Sequence, residues 1–254
     1  MIPLRIRAVN TAADSENKIH DDRVAAQYGF RGGLVPGVTV YGYLAAAVID
    51  HFGDQSLMNP WLTRGAIEVR FQKPVYEDDE VVVTVEPQDG GRVRVEIAGC
   101  ASAVAWLHNE AAPSSIESAL PGNRSAPAPH TLHPGTILGA LDRPLDLSQA
   151  RLSAPLDSAI GPDRLAHPAI LLGLANEIFV ANYELGPWIH AASEVRKFSP
   201  VRDGERIRVR ARIEEQFERK GHDFVVLNVH ILAADGRLIE HVRHTAIWRP
   251  RVVK

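Results

Sequence analysis

The chain has 254 residues, of which 45% are hydrophobic and 23% are charged, and its formal net charge is −3. These values are typical of folded globular proteins and exclude a disordered chain. The charge balance disfavours general nucleic-acid binding, which requires a basic surface. The single cysteine, Cys100, excludes an intrachain disulfide and a cysteine-based zinc site. Apolar runs are too short to cross a bilayer and the N-terminus shows no signal-peptide core, so the sequence predicts a cytoplasmic protein.

A helix is predicted in the first half of the chain, directly after Pro36. Apolar residues recur there at steps of three and four: Val38, Tyr41, Leu44, Ala45, Val48, Ile49 and Phe52. This spacing places them on one helix face, and proline suits the first turn of a helix. The period changes to two over 81–85 and 92–97, which predicts strands joined by a turn at Gly90-Gly91.

The second half repeats this order of elements. Residues 111–130 are rich in Ala, Ser and Pro without periodicity, which is typical of a linker. An almost entirely apolar run follows Pro168 and predicts a second helix, buried on most sides. Alternation over 207–213, a strand at 224–231 and a turn at Asp235-Gly236 predict a second antiparallel meander.

A short internal match indicates a duplication. With one residue dropped, three groups recur in order: Pro60-Trp61, Glu68-Val69-Arg70 and Pro74-Val75 match Pro187-Trp188, Glu194-Val195-Arg196 and Pro200-Val201. Such a repeat predicts two related units. Each unit combines a long helix with an antiparallel sheet that the helix covers, so the predicted fold class is α+β. We predict an N-terminal domain over 1–110, a linker over 111–135 and a C-terminal domain over 136–254.

The segment from residue 15 to residue 37 carries the most specific pattern. It resembles the hydration motif of MaoC-like, (R)-specific enoyl-CoA hydratases and acyl dehydratases at these positions: Asn17, Ile19, His20, Asp22, Ala26, Gly29, Phe30 and Gly37. Members of that family are built from hot-dog domains, in which an antiparallel sheet wraps a long helix, often as a fused pair. The resemblance therefore implies two tandem hot-dog domains, the architecture that the repeat predicts independently.

The resemblance implies reversible hydration of a 2-enoyl thioester, on coenzyme A or an acyl carrier, to the (R)-3-hydroxyacyl form. This reaction needs a base for the water, a proton for the alpha carbon and a donor to the thioester oxygen. By position, His20 is the implied acid/base, the Gly37 N–H the oxyanion donor and Asn17 the support of the loop. The remaining implied site positions are Ser15, Val38, Tyr41, Asp22 and Phe30. No metal or other cofactor is implied, and a homodimer is one assembly compatible with the family.

One departure from the family affects the chemistry directly. Ser15 stands where the family has a catalytic Asp, and serine is no base near neutral pH unless another group activates it. Asp14 or Glu16 would reach the site only if the loop shifted by one residue. Three readings stay open: hydration, thioester hydrolysis with Asp14, Glu16 or Asp22 as the carboxylate, and a degenerate acyl-binding or partner subunit. For His20 itself, the alternative is a solvated residue in the first turn of a helix, and for Tyr41 it is core packing.

Three further features complete the sequence analysis. The second half has no Asn-X-X-His, and Gly161-Pro162-Asp163 stands in the corresponding stretch, so we expect that half to complete the pocket. Arginines at 206, 208, 210 and 212 share one strand face, which either receives coenzyme A phosphates or pairs with acidic neighbours. His241 and His244 lie on opposite strand faces and predict no metal site.

Overall fold

The computed structural model describes residues 3–150, 152 and 156–252. The α-helices in these ranges are α1 (Asp22–Ala26), α2 (Gly37–Phe52), α3 (Pro60–Arg64) and α4 (Pro168–Asn182). The strands of the N-terminal half are β1 (Leu4–Arg7), β2 (Gly65–Phe71), β3 (Glu80–Gln88), β4 (Arg92–Ile97) and β5 (Ala101–Leu107). Those of the C-terminal half are β6 (Leu141–Pro144), β7 (Ala159–Ile160), β8 (Leu165–Ala166), β9 (Ile189–Lys197), β10 (Arg206–Arg219), β11 (His222–Ala233) and β12 (Leu238–Arg249). Short 3-10 turns span Lys18–His20 and Asp89–Gly91.

One antiparallel sheet joins the two halves. Its order in the described part of the chain is β1-β3-β4-β5-β2-β9-β12-β11-β10-β6, so the second half repeats the first in mirrored order. The halves meet where β2 pairs with β9, and Glu68 lies directly opposite Glu194 in that ladder. These two glutamates are equivalent in the sequence repeat. An approximate two-fold axis between β2 and β9 places equivalent residues opposite each other, as this register does. The predicted duplication therefore has a structural counterpart.

The two long helices lie side by side against this sheet. Helix α2 buries most of its predicted apolar stripe, including Tyr41, Leu44 and Val48, while Val38 and Phe52 are half-buried. Helix α4 buries most of its circumference. The helices approach closely at Gly42, where an added Cβ would lie 3.1 Å from the Cβ of Ala169. Both predicted helices are present.

Two local features differ between the halves. Pro168 occupies the first turn of α4 as expected, whereas Pro36 is the N-cap of α2 and precedes the helix. The matched Pro-Trp pairs also differ, because Pro60 starts the short helix α3 while residues 187–188 are not helical. The reason is local: the Asn59 side chain accepts the Trp61 N–H at 3.0 Å and thereby caps α3.

The segment between the halves forms no helix and no β-ladder over residues 108–140. Residues 108–140 contain only isolated bridges, yet they bury Ile116, Leu132 and Leu138. The domain boundaries proposed above remain a prediction. In the part of the chain that the structure describes, no helix is both long enough and apolar enough to cross a membrane.

Candidate functional site

The loop that carries the sequence motif is held tightly against the start of α2. Asn17 caps the 3-10 turn Lys18–His20, and the Asp22 carboxylate accepts the Gly33 N–H at 2.7 Å. The Asn10 side chain donates to the His20 carbonyl at 2.9 Å. An added Cβ on Gly33 would lie only 2.0 Å from that same carbonyl oxygen, so only glycine fits there. These contacts fix the backbone position of His20.

The His20 imidazole has a defined proton position. Its Nδ1 lies 2.6 Å from the Leu34 carbonyl oxygen, and because a carbonyl can only accept, Nδ1 carries the hydrogen and donates it. Nε2 then presents a lone pair, with the Asn17 Nδ2 at 3.4 Å. Burial lowers the pKa of His20 below its ordinary 6.5, and the bond to Leu34 offsets part of that effect. Nε2 is therefore a neutral base at pH 7.

Asn17 ties this loop to the C-terminal half of the chain. Its Oδ1 accepts the Trp188 N–H at 3.1 Å, and its Nδ2 donates to the Trp188 carbonyl at 3.0 Å. The two residues are 171 positions apart in the sequence. The Asn17 side chain thus pairs with both backbone groups of Trp188, just before β9 begins. These two hydrogen bonds hold the motif loop, and with it His20, at the boundary between the halves.

The amino terminus of α2 faces the same region. The Gly37 N–H is one of the first four helical amides, which have no acceptor within the helix, and no side chain caps this end. The helix dipole adds partial positive charge there. An added Cβ on Gly37 would lie 2.8 Å from Nδ1 of His190, so β9 approaches closely enough to require glycine. This end of α2 is suited to an oxygen that gains negative charge.

Two cavities meet at His20. The first, of about 230 Å³, has Gly37, Phe30 and parts of 71–75 and 188–191 in its wall. The second, of about 550 Å³, is lined by Ser15, Val38 and one side of α4. Five residues belong to both walls: Asn17, His20, Pro36, Asn176 and Trp188. His20 therefore lies at the junction of two adjacent spaces, which are formed by both halves of the chain.

Sequence patterns did not identify the residues that the C-terminal half contributes. Asn176 interrupts the apolar run of α4, and that interruption is the only signal it gives. His190 forms a buried chain in which its Nε2 lies 2.8 Å from the Ser193 Oγ, which lies 3.1 Å from Nδ1 of His244. Burial lowers the pKa of His190 well below its ordinary range and that of His244 to about 3, so both imidazoles are neutral.

The loop and the helix that follows it match a known family. Residues 13–105 match the family model described as MaoC like domain. Over these residues the chain is a MaoC-like domain. No curated protein sequence matches the chain.

Solved structures extend the likeness over both halves. A conserved hypothetical protein of Mycobacterium tuberculosis, described as having a double hotdog fold, aligns with a TM-score of 0.56 at 15% identity, covering 97% of this chain and 96% of that one. A protein of Chloroflexus aurantiacus described as a MaoC domain dehydratase gives 0.57 at 12%, covering 98% and 95%. A Lactobacillus plantarum protein provisionally described as an oleoyl thioesterase gives 0.54 at 12%, covering 98% and 97%. The predicted double hot-dog fold is confirmed.

The structure brings together most of the site positions predicted in the MaoC-like domain. His20, Asn17, Ser15, Gly37, Val38 and Phe30 all lie on a cavity wall. Asp22 and Tyr41 do not lie on either wall. Asp22 instead holds the Gly33 amide, and Tyr41 is fully buried in the core, where burial raises the pKa of its hydroxyl. Core packing, the alternative stated for Tyr41, matches its position.

No carboxylate of the motif segment reaches the junction. Asp14 is exposed, and Glu16 forms an ion pair with Arg124 at 2.6 Å on the surface. The Ser15 hydroxyl donates to the Asn17 carbonyl at 3.3 Å. The MaoC-like domain therefore presents an imidazole, amides and a hydroxyl at the junction, without the carboxylate that the family pattern has at position 15.

Three of the four arginines on this face of β10 have side-chain partners elsewhere in the described part of the chain. Arg206 and Arg208 pair with Asp142 at 2.7 and 3.3 Å. Arg210 donates to the Ser115 hydroxyl at 3.0 Å and thereby holds the segment between the halves. Of the two interpretations given for this face, pairing with neighbours is the one that these contacts favour.

Proposed function

We propose that this protein catalyses the reversible hydration of a 2-enoyl thioester to the (R)-3-hydroxyacyl form. The observation that carries the proposal is a neutral imidazole, His20, that lines the same cavity as an uncapped helix amide, Gly37. A base for water and a donor for the thioester oxygen are the groups that water addition requires. The (R) configuration rests on the resemblance to MaoC-like hydratases.

One imidazole is sufficient for both proton transfers. His20 Nε2 takes a proton from water while the water oxygen bonds to C3 of the enoyl group, and electron density moves to the thioester oxygen. The Gly37 N–H donates to that oxygen as its negative charge develops. The imidazolium then returns the proton to C2, which gives the 3-hydroxyacyl thioester and restores neutral His20. No carboxylate base is needed, so Ser15 is compatible with this route.

The two cavities suggest how the substrate lies. Gly37 belongs to the first cavity alone, whereas His20 belongs to both. In an enoyl thioester the carbonyl lies between the carrier and C3, so the carrier extends into the first cavity and the acyl chain into the second. Lys73 and His222 line the first cavity, and a lysine there suits the phosphates of coenzyme A or of a carrier's prosthetic group. Apolar residues of α4, among them Ile170 and Leu174, suit an acyl chain.

Hydrolysis of the thioester is the less favoured alternative. In the sequence analysis it required Asp14, Glu16 or Asp22 as a carboxylate, and none of these three side chains lines either cavity. Incubation with crotonyl-CoA distinguishes hydration, hydrolysis and binding without turnover. Loss of the enoyl absorbance without thiol release supports hydration, thiol release supports hydrolysis, and saturable binding without turnover supports a binding subunit.

We expect the acid limb of the pH profile to lie lower than for an ordinary histidine. Because His20 must be neutral to act as a base, kcat/KM falls as the pH drops through its pKa, and burial lowers that pKa below 6.5. Hydration of crotonyl-CoA measured across mildly acidic pH should therefore fall to half its plateau at a pH below 6.5. A midpoint at or above 6.5 would contradict a buried, neutral His20 as the base.

We expect Gly173→Leu to shorten the acyl chain that the enzyme accepts. Gly173 lines the second cavity, and an added Cβ there meets no atom within 4 Å, so the new side chain fills space without a clash. Losing room for three or more methylenes should lower kcat/KM for a ten-carbon enoyl-CoA about tenfold or more, since each buried methylene contributes about 0.8 kcal/mol. Turnover of crotonyl-CoA should change little. Gly186→Leu, at another open glycine that lines neither cavity, is the control. An equal loss for both chain lengths would refute the assignment.

A further inference from the structure

An amide on α4 lies where the two cavities meet. Asn176 comes from the C-terminal half and shares both cavity walls with His20. Its Oδ1 is buried, and no hydrogen-bond partner for it occurs in the described part of the chain. Most buried polar atoms in folded proteins have a partner, and an exception calls for a ligand or a water. Asn176 therefore lies at the junction of the cavities and carries an acceptor atom that no described residue satisfies.

The other polar side chains at the junction leave few free atoms. Both ends of the Asn17 amide are engaged with the Trp188 backbone. Its 3.4 Å contact with Nε2 of His20 is long for a hydrogen bond, so a water can replace it. The side-chain acceptors left at the junction are thus Nε2 of His20 and Oδ1 of Asn176. The indole Nε1 of Trp188, a donor, also has no partner among the described residues.

We propose that Asn176 and His20 together hold the water that adds to the substrate. A water between two acceptors donates one hydrogen to each, which leaves its lone pairs directed toward the enoyl carbon. The amide oxygen orients the water but takes no proton, so the proton goes to His20 alone. Asn176 in this way supplies the orienting acceptor that the motif loop lacks at Ser15. The inference rests on the proposed hydration and adds a water-positioning residue from the other half of the chain.

Replacing the amide by a side chain of similar size tests this role. We expect Asn176→Leu to lower kcat for crotonyl-CoA hydration by about tenfold while KM changes by less than about twofold, because water orientation acts in the transition state. Asn176→Asp restores an acceptor and should recover turnover. Its activity should rise with pH as the new carboxylate ionises, an acid limb that a purely structural residue would not introduce.

Asn228→Leu provides the matched control. Asn228 also has a buried Oδ1 without a partner in the described residues, but it lines neither cavity, so its replacement should leave kcat unchanged. The water-positioning role would be overturned if Asn176→Leu kept the wild-type kcat, or if Asn176→Leu and Asn228→Leu lost kcat equally. Either result would leave the proposed hydration itself intact. A wild-type protein that adds no water to enoyl thioesters would overturn the proposed function and this inference together.

Discussion

Replacing His20 by alanine should lower kcat for crotonyl-CoA hydration by about 10²–10⁴-fold, the usual contribution of a positioned acid/base. Among the side chains at the junction, Nε2 of His20 is the one neutral base that the contacts leave available, and it serves both proton transfers. The expected loss is in kcat, with KM little changed, because the imidazole acts mainly in the transition state. Stopped assays of product formation with purified protein measure it.

Two comparisons make this result specific. Thermal unfolding should show that His20→Ala still folds, since the hydrogen bonds of Asn17 to Trp188 and of Asp22 to Gly33 do not involve the imidazole. His130→Ala changes an exposed histidine between the halves and should behave as wild type. If His20→Ala hydrated crotonyl-CoA at the wild-type rate, His20 would not be the base.

Replacing Gly37 by alanine should reduce both activity and stability. The new Cβ would lie 2.8 Å from Nδ1 of His190 and 2.9 Å from its Cβ, so the helix end or the ring must move. Such overpacking typically costs about 1–3 kcal/mol in the free energy of unfolding. Displacing the amide that donates to the thioester oxygen should lower kcat by up to about 100-fold. Denaturant unfolding and hydration kinetics measure the two effects.

A double-mutant cycle identifies the cause of this loss. His190→Gly removes both the ring and the Cβ against which the Gly37→Ala methyl would clash, so Gly37→Ala should cost less stability in that background than in wild type. Gly186→Ala, at an open glycine, is the control for an added methyl and should cost little. An identical cost of Gly37→Ala with and without the His190 ring would show that contact with β9 is not what requires glycine at position 37.

Sequence periodicity and the short repeat were sufficient to predict the architecture. The apolar stripe after Pro36 and the apolar run after Pro168 correspond to α2 and α4, and alternating residues correspond to β3 and β10. The paired Glu68 and Glu194 explain why the repeat was visible: its best-matched residues lie on the pseudo-two-fold axis of the sheet. Local capping is harder to predict, since Asn59 makes the first Pro-Trp pair helical while the second pair is not helical.

The site could be predicted only in part. The motif identified His20, Asn17 and Gly37 because they lie close together in the sequence. Asn176 and His190 come from elements more than 100 residues away, and no local pattern in a single sequence indicates that a polar residue in an apolar helix faces a distant loop. For Tyr41 the family pattern predicted too much. It suggested substrate contact, but the residue lies on the apolar helix face and packs into the core.

The most direct measurement is the fate of isotopically labelled water during turnover of crotonyl-CoA. In water enriched in oxygen-18, addition assisted by His20 and Gly37 should place the label on C3 of a 3-hydroxybutyryl-CoA whose thioester is intact. Label in the carboxylate of free crotonate, together with released coenzyme A, would contradict this account, as would recovery of unlabelled crotonyl-CoA alone.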